Sequence, residues 1–170
     1  LWKNDFANVD HGSFHAKGTD RIAFPAGIPF HRLKSLDDEW PAKGKTNHAF
    51  PQDHGYRFRG YHLDALRRPT FRYHWGDVAV EEFFEDVRDT DGKAFFKRTF
   101  QFDADGALEP FYFRAACGEK ISATSDRSFQ IDQLQLRLTS EHTGITREGE
   151  VLIPLTLPQG RSSLTLEYQW

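Results

Sequence analysis

The stretch that most constrains this chain is residues 56–87, YRFRGYHLDALRRPTFRYHWGDVAVEEFFEDV. In TFRYHW the aromatic residues Phe71, Tyr73 and Trp75 alternate with the polar Arg72 and His74, the period of a strand that buries one face. In YRFRGYHLD the apolar set starts on Tyr56 and Phe58 but passes to Tyr61 and Leu63 after Gly60, so one residue has to be absorbed there. A bulge at Gly60 does this. The link DALRRP is short and ends in a proline that cannot donate to a ladder, which favours an antiparallel connection over a crossover helix. Gly76-Asp77 then turns the chain into VAVEEFFEDV, where Val78 and Val80 alternate before an acidic run begins. Together these segments predict a three-stranded meander.

The text beyond residue 93 repeats this logic. AFFKRTFQF sets Phe96, Phe100 and Phe102 on one face, and FYFRAA reads as a short strand. LQLRL turns Leu134, Leu136 and Leu138 inward, VLIPL turns Val151, Ile153 and Leu155 inward, and SLTLEYQW does the same with Leu164, Leu166, Tyr168 and Trp170. DTDGK, DADG, EHTG, REGE and PQGR supply the turns. Many short strands with a single weak helix candidate, at 33–40, predict an all-β chain: an antiparallel β-sandwich, jelly-roll-like or a supersandwich. Residues 1–51 lack alternation and are rich in glycine and proline, yet aromatics recur through them. They are expected to form an ordered, loop-rich wrap over the regular strands of 52–170, within one domain.

Composition narrows the function classes. A chain of 170 residues suits one domain with a real core, and a formal charge of -3 offers no basic excess for nucleic acid. No stretch is apolar enough to read as a bilayer-spanning helix, and no cleavable leader is expected before Leu1. The absence of methionine suggests a processed or excised piece of a longer product. The lone Cys117 rules out an internal disulfide and reads as a small buried hydrophobe at a strand end.

Three groups of residues carry candidate chemistry. VDHGSFHAKG and NHAFPQDHG bring histidine pairs on two loops, so His11, His15, His48 and His54 form a candidate site for zinc, copper or iron. The competing reading is loop histidines bonded to backbone or solvent, since Gly12 spoils a helical spacing. Glu81, Glu82, Glu85 and Asp86 offer a carboxylate pair for glycoside hydrolysis through Glu81 or Glu85, against the simpler reading of a solvated strand edge facing Arg57, Arg59, Arg67, Arg68 and Arg72. Trp40, Tyr61 and Trp75, with Arg59, are the candidate contacts for a sugar ring or other ligand. No Ser-His-Asp or Cys-His order and no phosphate loop is present.

The wording YRFRGYHLDALRRPTFRYHWGDVAVEEFF, followed by FYFRAACGEKI, resembles a β-rich module of large secreted planctomycete-type proteins with sugar-dehydrogenase-like propeller and c-type cytochrome domains. The similarity spans roughly residues 51–121, and HGSFH is similar to an HG-x-H element of related modules. The resemblance implies a periplasmic or extracellular, electron-transfer-linked assembly acting on carbohydrate. Its partners would be other domains of the parent polypeptide or a cytochrome, and any haem c would sit elsewhere, because C-x-x-C-H is absent here. The expected role is a non-catalytic docking or saccharide-binding module; the alternative is a metal-dependent enzyme or redox site built on the loop histidines.

Overall fold

The computed structural model describes residues 24–41 and 51–169. Through them run the strands β1 (Phe30–His31), β2 (Tyr56–Leu63), β3 (Pro69–Trp75), β4 (Val78–Arg88), β5 (Ala94–Ala104) and β6 (Phe111–Cys117). They continue with β7 (Ile121–Ser125), β8 (Ser128–Ile131), β9 (Leu134–Leu138), β10 (Ile145–Arg147), β11 (Glu150–Leu155) and β12 (Gly160–Gln169). Eight of these make one sheet in the order β2-β3-β4-β5-β12-β9-β8-β7, and four make a second in the order β1-β6-β11-β10. Every pairing is antiparallel. The all-β sandwich expected from the alternation is the architecture observed. No described helix is long and apolar enough to cross a membrane.

The meander of β2, β3 and β4 forms as read, with the register of β2 on β3 shifting between Phe58 and Gly60. Gly60 takes a φ of 102°, a conformation that costs a glycine little and a side chain much. The 64–68 link is closed locally: one Asp64 oxygen accepts from the backbone N–H groups of Leu66 and Arg68 at 2.8 Å each. Residues 33–40 form turns instead of a helix, because the Asp38 carboxylate accepts from the N–H groups of Lys34 and Ser35 and bends the chain back. The one helical turn among the described residues is a 3-10 turn at Pro51–His54.

The two sheets meet over an aromatic core centred on Phe30. Its ring lies 5.3–5.9 Å from those of Trp75, Phe100, Phe102, Phe111 and Phe113, which come from both layers. The same residue ties the layers through its backbone: Phe30 N–H donates to the Tyr56 hydroxyl at 2.7 Å, and that hydroxyl donates to the Phe30 carbonyl at 2.8 Å. A two-residue strand therefore has its exposed-edge groups satisfied by a side chain from the opposite sheet. Residues around it are held by Trp40, whose indole N–H donates to the Ile28 carbonyl, and by Arg147, which donates to the carbonyls of Leu36 and Asp38. Phe30 is fully buried, so Phe30→Ala is expected to cost about 3–5 kcal/mol in urea denaturation. A loss under roughly 1 kcal/mol would show that β1 is not the keystone of the core.

Candidate functional site

Strand β4 runs on through Arg88, so the acidic run lies inside the sheet and not beside it. This corrects the reading of the whole run as a solvated edge. Glu81 and Glu85 do face outward, pairing with Arg72 at 3.4 Å and with Arg68 and Lys97 at 3.4 and 3.6 Å. Glu82 shares the parity of Val78 and Val80, points between the sheets and is 8% exposed. Its partner is none of the meander arginines. Arg98 occupies the inward row of Phe96, Phe100 and Phe102 on β5, diagonal to Glu82 across the ladder. Glu82 Oε1 accepts from Arg98 Nε at 2.8 Å and Nη2 at 2.7 Å, while the Tyr73 hydroxyl donates to Oε2 at 3.2 Å.

The guanidinium is boxed by rings. Phe24 and Phe100 lie 4.6 Å from it, Phe113 5.2 Å and Phe84 5.4 Å. Such packing supplies quadrupole attraction where water is missing. Burial opposes the Arg98 charge, but Glu82 and the surrounding hydroxyls outweigh it and hold the group above its ordinary value. Burial, followed by the Glu82 charge, raises the Tyr73 hydroxyl well above its ordinary value, so Tyr73 stays a donor.

Above this pair opens a cleft of about 360 Å³ lined by Pro51, Gln52, Tyr56, Phe58, Tyr73, Glu82, Arg98, Arg114 and the 25–29 segment. Phe58 stands at it with 67% of its surface exposed, an unusual state for an inward-facing aromatic. Arg114 is paired with Glu150, which also accepts from Arg147 Nε at 2.7 Å, and it lies 5.8 Å from the Trp40 ring. Among the described residues its buried Nε has no hydrogen-bond partner. Among the described residues Glu82 is the single carboxylate lining this cleft. The chemistry on offer is hydrogen bonding beside an aromatic surface; the second carboxyl that glycoside hydrolysis uses is not among those lining residues.

The candidate ligand residues do not converge. Trp40 and Trp75 are 6% and 8% exposed and serve the core, the Trp75 ring lying 4.7 Å from that of Phe111 with the Arg32 guanidinium over it at 5.5 Å. Tyr61 is 61% exposed on β2 beside Phe71, and Arg59 is exposed at the bulge. Of the candidate metal ligands, His11, His15 and His48 lie outside the described residues. His54 ends the 3-10 turn with its ring 6.2 Å from that of His31, in a separate groove of about 800 Å³ that also takes in Asp53, Asp77, Asp105 and Glu109. No group of three or more His, Cys, Asp or Glu among the described residues is placed to hold a metal ion. Cys117 is half-buried at the end of β6, and burial raises its thiol.

No family model matches the chain, and no curated protein matches it. Among solved structures it is similar to a protein described as a kojibiose phosphorylase from human microbiome, at 12% identity and a TM-score of 0.38. That match covers 61% of this chain and 17% of the other, so the chain spans less than a fifth of that protein's length. A likeness at this level carries no argument about function.

Two outcomes test the electrostatics. Glu82→Gln removes one member of a buried pair and leaves Arg98 uncompensated, so it is expected to destabilise by about 3–5 kcal/mol, whereas the double change to Met at 82 and 98 recovers most of that loss. Equal losses for the single and double variants in chemical denaturation would contradict the pairing. His31 is held below its ordinary value by burial and then by His54, with Asp38 partly offsetting them. The unfolded chain therefore binds more protons just below about pH 6.5, and the stability present above that value is lost as pH falls through the folded-state value. His142, also lowered by burial, adds to the same slope. Denaturation midpoints should fall between about pH 7 and 5, and His31→Gln should flatten the fall; an unchanged slope in that variant would remove His31 from the explanation.

Proposed function

We propose that this chain is a non-catalytic saccharide-binding module of a secreted redox protein, with the cleft over Glu82 and Arg98 as its binding site. One observation carries the reading: an inward-facing ring, Phe58, is left 67% exposed at a cleft whose polar floor is already fixed by hydrogen bonds. A sugar ring presents an apolar C–H face edged with hydroxyls. It matches an aromatic surface flanked by the Gln52 amide, the Tyr73 and Tyr56 rings and the Arg114 guanidinium. The cleft volume is at the lower end of the range for small-molecule sites, the size of a short saccharide rather than a large cofactor.

A floor that is internally paired binds without rearranging, which lowers the ordering cost of association. It also commits Glu82 to three donors of its own fold, and binding rather than bond cleavage is the activity proposed. The parent context, a periplasmic or extracellular assembly with sugar-dehydrogenase-like and cytochrome partners, rests on the resemblance of residues 51–121 to modules of that kind. Binding to a neutral and acidic oligosaccharide panel, read by microarray and titration calorimetry, is the test. Phe58→Ala should weaken the best ligand about tenfold, roughly 1.4 kcal/mol, with no loss of stability. A panel without a single binder, or a ligand indifferent to Phe58→Ala, would refute this site.

A further inference from the structure

Strand β2 ends the eight-stranded sheet, and among the described residues only β3 pairs with it. Its inward residues show the consequence: Phe58, Tyr61 and Leu63 are 67%, 61% and 47% exposed, although their cross-strand partners Tyr73, Phe71 and Pro69 are partly buried. These are core-type residues on a face with one flank open. The outward positions are different in kind. Arg57 lies opposite His74, Gly60 opposite Arg72 with Arg59 in the bulge beside it, and His62 opposite Thr70. Arg57, Arg59, His62 and Arg72 are exposed. Among the described residues no carboxylate pairs with Arg57 or Arg59, and Arg72 meets Glu81 at 3.4 Å with over half its side chain in solvent. The hairpin of residues 56–75 carries five arginines against one aspartate, +4 in a chain whose formal charge is -3.

We propose that this edge docks an extended strand of a partner protein whose residues alternate between acidic and aliphatic. Backbone pairing along β2 would supply part of the affinity. Carboxylates would meet Arg57 and Arg59 on the outer face, and aliphatic side chains would cover Tyr61 and Leu63 on the inner one. A second copy of the chain does not fit the edge, because pairing β2 with its own copy sets arginine and histidine rows against one another. The same charges and the Gly60 bulge keep the edge from nonspecific strand addition, so the fit selects an acidic strand and a short one. The docked strand would share the inner face of β2 with the saccharide cleft, but it rests on Tyr61, Leu63, Arg57 and Arg59, none of which lines that cleft.

The probe is a fluorescent seven-residue peptide of alternating Glu and Val, compared with its Lys and Val counterpart by anisotropy, with hydrogen exchange following the β2 amides. Expected are binding of the acidic peptide at least about tenfold tighter than the basic one, weakening with salt, and loss of that preference in Arg57→Glu/Arg59→Glu. Amides of β2 should exchange quickly in the free protein and slow on binding. The proposal is overturned by no binding, by equal binding of the two peptides, or by β2 amides already as slow as those of β4 in the free protein, which would mean the edge is occupied. Binding without new protection of β2 would equally defeat it, since charge alone would then account for the contact.

Discussion

Everything placed near the candidate site depends on one ion pair held out of water. Glu82 and Arg98 sit where adjacent strands would ordinarily carry apolar side chains, and neither tolerates burial alone. The pair persists because it is fully engaged: two guanidinium N–H groups and a tyrosine hydroxyl reach the carboxylate, and four phenylalanine rings surround the guanidinium. A hydrophobic pair of similar volume would serve packing as well or better. The charges at this point of the core line the cleft above them, and it is as its polar floor that they are proposed to serve.

A second ionic group performs a related task on the other layer. Arg114, Arg147 and Glu150 join β6, β10 and β11, and Arg147 extends to the backbone carbonyls of Leu36 and Asp38. Trp40 and Phe30 anchor the same segment by burial and hydrogen bonding. The irregular residues 24–41 are thereby pinned along the small sheet, which brings Gly27, Ile28 and Pro29 to the cleft wall. Arg114 lines the cleft and belongs to this ionic group at once.

How much of this was legible in the sequence follows from what alternation encodes. The period-two text specified β2, β3, the first residues of β4, and β5, the Gly60 bulge and the inward leucines of β9 and β12, because each buried face repeats at every second residue. It was silent on β1, whose two residues form no pattern and are fixed by contacts from distant strands. Residues 33–40 read as a weak helix candidate but form turns, since the Asp38 side-chain bonds that close them carry no periodic signal. The polar pair was within reach: Glu82 continues the Val78, Val80 series, and Arg98 interrupts the phenylalanine series of β5, two charges at core parity on neighbouring strands. Tryptophan, the residue type a sugar-binding reading favours, is spent elsewhere: its size places Trp40 and Trp75 in the core.

The central claim, that the cleft over Glu82 and Arg98 is where this chain meets its ligand, is tested most directly by NMR. A labelled sample would be titrated with a pooled set of short oligosaccharides while backbone amides and the Arg98 Nε–H are followed. Expected are saturable shifts at Gln52, Tyr56, Phe58, Tyr73 and the Arg98 side chain, with the groove at His31 and His54 unmoved. Shifts confined to that groove, or none at saturating sugar, would contradict it.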